Sequence, residues 1–122
     1  FRSKFHTYPE YHTSLDDLTL VNPKGLAGGF NALKDALWII ENNHLYKVLM
    51  NCEPQLGKRG LYPSLSTGNT WSKVETLMNL ISYCDGSMDL LEISETIGED
   101  FHSLLPIVEI LTKNLIIKKV SD

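Results

Sequence analysis

The stretch richest in reactive groups is Tyr8-Pro9-Glu10-Tyr11-His12-Thr13-Ser14-Leu15-Asp16-Asp17. A loop imidazole beside carboxylates has the makings of a metal ligand. A neutral imidazole nitrogen binds zinc well, and a nearby carboxylate can fix the tautomer of the other nitrogen. The same residues have a plainer reading: His12 hydrogen-bonds locally while Asp16 and Asp17 cap or solvate the chain, since no second ligand stands at metal spacing. His6 lies across Pro9 from His12, where helical geometry cannot bring the two rings together, and reads as either a site or a surface residue. His44 and His102 read as structural or exposed. Tyr11 and Tyr62 are either pocket-lining or packing rings.

A second cluster is Gly57-Lys58-Arg59-Gly60. Its spacing is not that of a phosphate-binding loop, which needs Gly-x-x-x-x-Gly-Lys-Ser/Thr ahead of a helix. Either it is a turn with two solvated cations, or the loop reaches an active site where Arg59 grips a carboxylate or phosphate through two parallel bonds. Cys52 and Cys84 show no metal spacing, and two cysteines imply no disulfide scaffold, so a reducing, cytoplasmic setting is expected.

These groups need elements to hold them. Pro9 bars a helix interior, so residues 1–22 read as loop with short extended pieces. Asn22 suits a helix N-cap and Pro23 the first helical position. Leu26, Phe30, Leu33, Leu37 and Ile40 then keep helical spacing to about Glu41. Gly25, Gly28 and Gly29 weaken the first turns and leave room for a close neighbour. Leu45, Tyr46, Val48 and Leu49 suit a strand within 44–50. Two prolines and two glycines make 52–63 a set of turns, and the polar run after it a linker.

The last third is more regular. Trp71, Val74, Leu77, Met78 and Ile81 predict a helix over 71–84, broken by Asp85-Gly86-Ser87. A short helix over 88–97 carries Asp89 and Glu92 in capping-box positions, with Gly98 as its left-handed stop. Phe101, Leu104, Leu105, Val108 and Leu111 predict a helix over 101–113. A start near Ser103 would put Pro106 in the first turn, where its missing N–H costs little. Leu115 to Val120 reads as a strand. Helix, short helix, turn, helix, strand is the order of a winged-helix unit, here with one wing strand instead of a hairpin.

Of the 122 residues 43% are hydrophobic and 21% charged, a globular composition, and no apolar run approaches a membrane span. The net charge is -4. From Trp71 to Asp122 four lysines face nine carboxylates, and Glu99 and Asp100 stand where a recognition helix would meet phosphates. That balance argues against nucleic acid as the partner. The chain opens on Phe1 inside structured-looking sequence, so it is expected to be part of a longer protein.

Three stretches together resemble one family. They are Pro9-Glu10-Tyr11-His12-Thr13-Ser14-Leu15-Asp16-Asp17, then Cys52-Glu53-Pro54-Gln55-Leu56-Gly57-Lys58-Arg59-Gly60-Leu61-Tyr62-Pro63, then the terminal winged-helix-like unit. The family is the bacterial aminopeptidase-like proteins often labelled as polysaccharide-biosynthesis proteins. The first stretch is similar to the last metal-ligand motif of two-metal zinc aminopeptidases. The resemblance implies an α+β chain. Residues 1–70 would end an aminopeptidase-like α/β domain, and residues 71–122 would form the winged-helix-like unit.

The resemblance also implies that His12 is one zinc ligand. The remaining ligands and a general-base glutamate would come from the remainder of the parent chain, and this piece alone would be inactive. The substrate would be a small peptide or amide, with Tyr11, Lys58 and Arg59 on the substrate side. The competing expectation is a non-catalytic interaction module, in which the helical unit docks a protein partner or a second copy.

Overall fold

The computed structural model describes residues 3–61 and 68–120, with residues 68–72 given by their helical backbone. The expectations for Tyr62, for residues 64–67 and for the side chain of Trp71 fall outside the described part. The chain divides into two units, residues 1–42 and 43–122. The first holds α1 (Pro23–Asn42). The second holds β1 (Leu45–Val48), α2 (Gly68–Tyr83), β2 (Asp85–Asp89), α3 (Leu90–Ile97), α4 (Phe101–Lys113) and β3 (Ile117–Lys119).

The division therefore falls at Asn42, ahead of the polar run near Ser66–Thr70 where composition alone puts it. The reason is β1. It is the middle strand of a three-stranded antiparallel sheet of order β2-β1-β3, so residues 43–61 are built into the second unit. Val48 N–H donates to the Cys84 carbonyl at 2.7 Å and Leu49 N–H to the Ile116 carbonyl at 2.8 Å, one bond to each side. The strand partner that the wing lacks after α4 is thus supplied from ahead of the helices.

Asp85-Gly86-Ser87 does end α2, but it also forms β2, a strand that its composition hides. The Asp85 carboxylate accepts from Ser87 N–H at 2.7 Å and from the Ser87 hydroxyl at 2.6 Å. Those bonds, and to a smaller degree the charge of Lys47, hold the Asp85 carboxyl below the usual carboxylate range. The register slips between Leu45↔Asp89 and Lys47↔Asp85, and Gly86 takes φ 90° at that slip. A side chain there would be strained by that backbone angle even though the space is open enough.

The three helices pack against this sheet, α2 and α3 at β2 and α4 at β3. Leu80, Leu90, Ile93, Leu104 and Leu111 are fully buried, and Tyr46, Ile116 and Ile117 join them from the strand side. The Asp89 capping box is complete: its carboxylate accepts from Glu92 N–H, and Glu92 reaches back to Asp89 N–H, both at 2.9 Å. Gly98 ends α3 at φ 71°. Asp100 caps α4, which begins at Phe101 and not near Ser103. Pro106 therefore lies beyond the first turn, at a position whose N–H would otherwise bond the fourth residue before it.

In the first unit α1 begins as its sequence predicts, with the Asn22 side chain accepting from Gly25 N–H at 2.9 Å. None of its residues is buried. Leu26, Phe30, Leu33, Leu37 and Ile40 are each 62–70% exposed, so the apolar stripe of this helix faces outward in the described structure.

Two substitutions measure this account by chemical denaturation. Leu104→Ala empties a fully buried position and is expected to lose about 2–5 kcal/mol of stability. Asp89→Ala removes the cap of α3 and is expected to lose about 1 kcal/mol.

Candidate functional site

Residues 3–21 form a chain of tight turns, and two of them have the same build. In Lys4-Phe5-His6-Thr7 the Lys4 carbonyl accepts from Thr7 N–H at 3.2 Å and from its hydroxyl at 2.6 Å. In Glu10-Tyr11-His12-Thr13 the Glu10 carbonyl accepts from Thr13 N–H at 3.0 Å and from its hydroxyl at 2.8 Å. Each turn holds its histidine in the left-handed region, His6 at φ 64° and His12 at φ 57°. Histidine tolerates that region better than most residues, which suits it to the third place of such a turn.

The two turns meet at the Tyr11 ring. His12 packs edge-on to it with ring centroids 4.3 Å apart, and His6 does so at 4.6 Å. Phe5 and Tyr8 complete the group at 5.3 and 5.6 Å. Linear spacing across Pro9 argues against any meeting of His6 and His12, yet both contact one ring. The reason is that turns, unlike a helix, reverse the chain within four residues. A signal was present in the sequence, the near-repeat Phe-His-Thr and Tyr-His-Thr on either side of Pro9.

Both imidazoles are exposed, and no described group hydrogen-bonds to either. Asp17 follows its plain reading: it accepts from Thr19 N–H at 2.8 Å and from its hydroxyl at 2.6 Å, which lowers its carboxyl pKa. Asp16 is exposed and close enough to raise the Tyr8 phenol, after the larger effect of partial desolvation. Zinc takes three or four protein ligands in its usual sites. Among the described residues no three His, Cys, Asp or Glu side chains gather to hold a metal ion. The donors described here do not by themselves make a closed zinc site.

Lys58 and Arg59 belong to the second unit, and Tyr11 and His12 to the first. Residues 55–61 fold into successive turns, closed by Leu61 N–H on the Leu56 carbonyl at 3.0 Å, with Leu56 fully buried. Arg59 ties this loop down. Its Nε donates to the Pro54 carbonyl at 3.0 Å and its Nη1 to the Asn114 carbonyl, just past α4, at 2.6 Å. With Nε engaged, the fork formed by Nε and Nη2 is not open to a carboxylate, so the two-bond grip expected of Arg59 is restricted. Lys58 is exposed; its backbone N–H donates to the Gln55 carbonyl at 3.0 Å, and no described hydrogen bond engages its ammonium group.

The start of α4 is likewise engaged within its own unit. Asp100 caps the helix, Glu99 accepts from the Thr76 hydroxyl at 2.6 Å, and Phe101 is buried. Its exposed positions include Ser103, Pro106, Glu109, Ile110 and Lys113, with no arginine to read a guanine. Between α2 and α4 runs a groove of about 480 Å³, apolar at Val74, Leu77, Ile107 and Ile110. Cys84 is buried at the end of α2, and burial pushes its thiol up to about 12.

Three helices against a three-stranded sheet, with α3 and α4 joined at a tight corner, define a winged helix-turn-helix unit. The chain belongs to that family, whose model matches residues 44–119. Residues 1–43 match a domain of unknown function, DUF4910.

The chain is similar to a Clostridium acetobutylicum protein named for polysaccharide biosynthesis and an aminopeptidase-like domain, at 38% identity over 96 residues. That match covers 77% of this chain and 22% of the relative. A crystal structure of a Clostridium acetobutylicum protein named as a peptidase superposes with a TM-score of 0.78 at 30% identity. It covers 94% of this chain and 25% of that one. The chain thus spans about a quarter of the length of each protein. None of its described helices is long and apolar enough to cross a membrane.

If Arg59 is a strut, Arg59→Ala is expected to lose about 1–3 kcal/mol of stability in urea unfolding, and Arg59→Lys to regain little of it. The cysteines should also separate. Under native conditions near pH 8, iodoacetamide is expected to label exposed Cys52 and leave Cys84 unmodified by mass spectrometry.

Proposed function

We propose that this chain is part of a longer aminopeptidase-like zinc hydrolase that cleaves a peptide or amide bond, and that His12 is one of its metal ligands. The observation that carries the reading is His12 itself. Its imidazole is exposed, free of described hydrogen bonds, and held in a left-handed turn against Tyr11. Non-glycine residues in that backbone region concentrate at functional sites. The likeness to an aminopeptidase-like relative and to a peptidase structure, each about four times longer, supports the rest. The missing ligands are assigned to the remainder of that longer chain.

Within this reading Tyr11 fixes the His12 ring and lies on the substrate side. In the second unit, Lys58 is an exposed cation suited to a substrate carboxylate, and Arg59 serves mainly to hold its own loop. When bound, zinc would polarise the carbonyl under attack.

The second reading is an interaction module. It is supported by the apolar groove between α2 and α4, whose lining includes an Ile110 that is 44% exposed. Nucleic acid is the least favoured partner, because α4 presents no arginine and the unit carries an excess of carboxylates.

Elemental analysis of the full-length protein decides the first reading. His12→Ala is expected to lower bound zinc with the fold retained by circular dichroism. Unchanged zinc content in that variant would remove His12 from the metal site.

A further inference from the structure

We propose that His6 is a positioning residue for the site at His12, acting through the Tyr11 ring. The functional half of this inference rests on the reading of His12 as a ligand; the ring contacts do not. No described hydrogen bond orients the His12 imidazole, and its ring contact is with Tyr11 at 4.3 Å. The orientation of Tyr11 is therefore passed to His12. Of the other rings around Tyr11, His6 is the nearest, at 4.6 Å and 75° between planes, ahead of Phe5 and Tyr8. Edge-to-face is one of the two arrangements that aromatic rings favour over a face-to-face sandwich.

The backbone supports the same assignment. His6 and His12 occupy equivalent places in two turns of the same build, each closed by a threonine on the carbonyl three residues back. Both turns place a histidine in the left-handed region. The first turn brings an imidazole edge to Tyr11, and the second brings the imidazole of the site to the same ring. Both contacts come from exposed residues, so little core packing would be lost with the His6 ring. What is lost is the local restraint on Tyr11, and outer groups that restrain ligands typically matter about 10- to 100-fold to metal affinity.

Two variants separate ring from turn. His6→Asn keeps a residue that tolerates left-handed backbone and removes the ring, whereas His6→Phe keeps a ring edge and removes the imidazole nitrogens. In the full-length protein, competition with a chelator is expected to show about tenfold weaker zinc retention for His6→Asn and recovery to within about twofold for His6→Phe. Side-chain NMR signals of Tyr11 and His12 in the 122-residue chain are expected to move in His6→Asn. Unmoved Tyr11 and His12 signals overturn the proposal. So does a His6→Phe protein as defective as His6→Asn, because His6 would then act through its nitrogens. If His12→Ala keeps its zinc while His6→Asn still moves the Tyr11 signals, the ligand reading has failed and the ring coupling stands.

Discussion

The second unit depends on β1 lying in the middle of the sheet. A middle strand must satisfy its backbone groups on both edges, and here one edge is met by β2 and the other by β3. β2 joins α2 to α3 and β3 follows α4, so β1 ties the α2–α3 connection to the end of the helical core. Tyr46 turns its ring into the core from this strand and is 7% exposed. Upstream, Asn43 is held as well: its side-chain oxygen accepts from Leu91 N–H at 2.9 Å, at the start of α3. The boundary at Asn42 thus follows from hydrogen bonding and not from a change of composition.

The candidate site obeys a different constraint. Its residues lie on loops whose shape comes from threonine-closed turns and left-handed histidines, with almost no burial to help. Ring contacts supply what a hydrophobic core would otherwise supply. This arrangement leaves both imidazoles accessible, as a ligand must be, and makes their orientation sensitive to neighbours. Tyr11 touches every other ring of the group, which is why it matters more to the geometry than its place in the sequence suggests.

Where one physical signal dominates, sequence and structure agree. Asp89 with Glu92, and Gly98 nine residues past Asp89, mark α3 because capping is local. Leu104, Val108 and Leu111 mark the buried face of α4 because their spacing is helical. β2 was hidden because Asp85-Gly86-Ser87-Met88-Asp89 has poor strand propensity, and only its pairing with β1 makes it a strand. Pro106 misleads about the start of α4, since Asp100 sets the helix start and the helix tolerates the proline. In the candidate site, residue type singles out His12 and Tyr11, whereas the convergence of His6 on the Tyr11 ring needs the turn geometry. Arg59 was legible as a special residue, but its partners are carbonyls of Pro54 and Asn114, the latter far along the chain and beyond the reach of local pattern.

The account stands on one bond, from a nitrogen of His12 to zinc in the full-length protein. Anomalous diffraction at the zinc edge on crystals of that protein tests it directly. A peak about 2.0–2.1 Å from an imidazole nitrogen of His12 is the result the account predicts. A zinc peak ligated entirely by other residues, with the His12 ring out of bonding range, would contradict it.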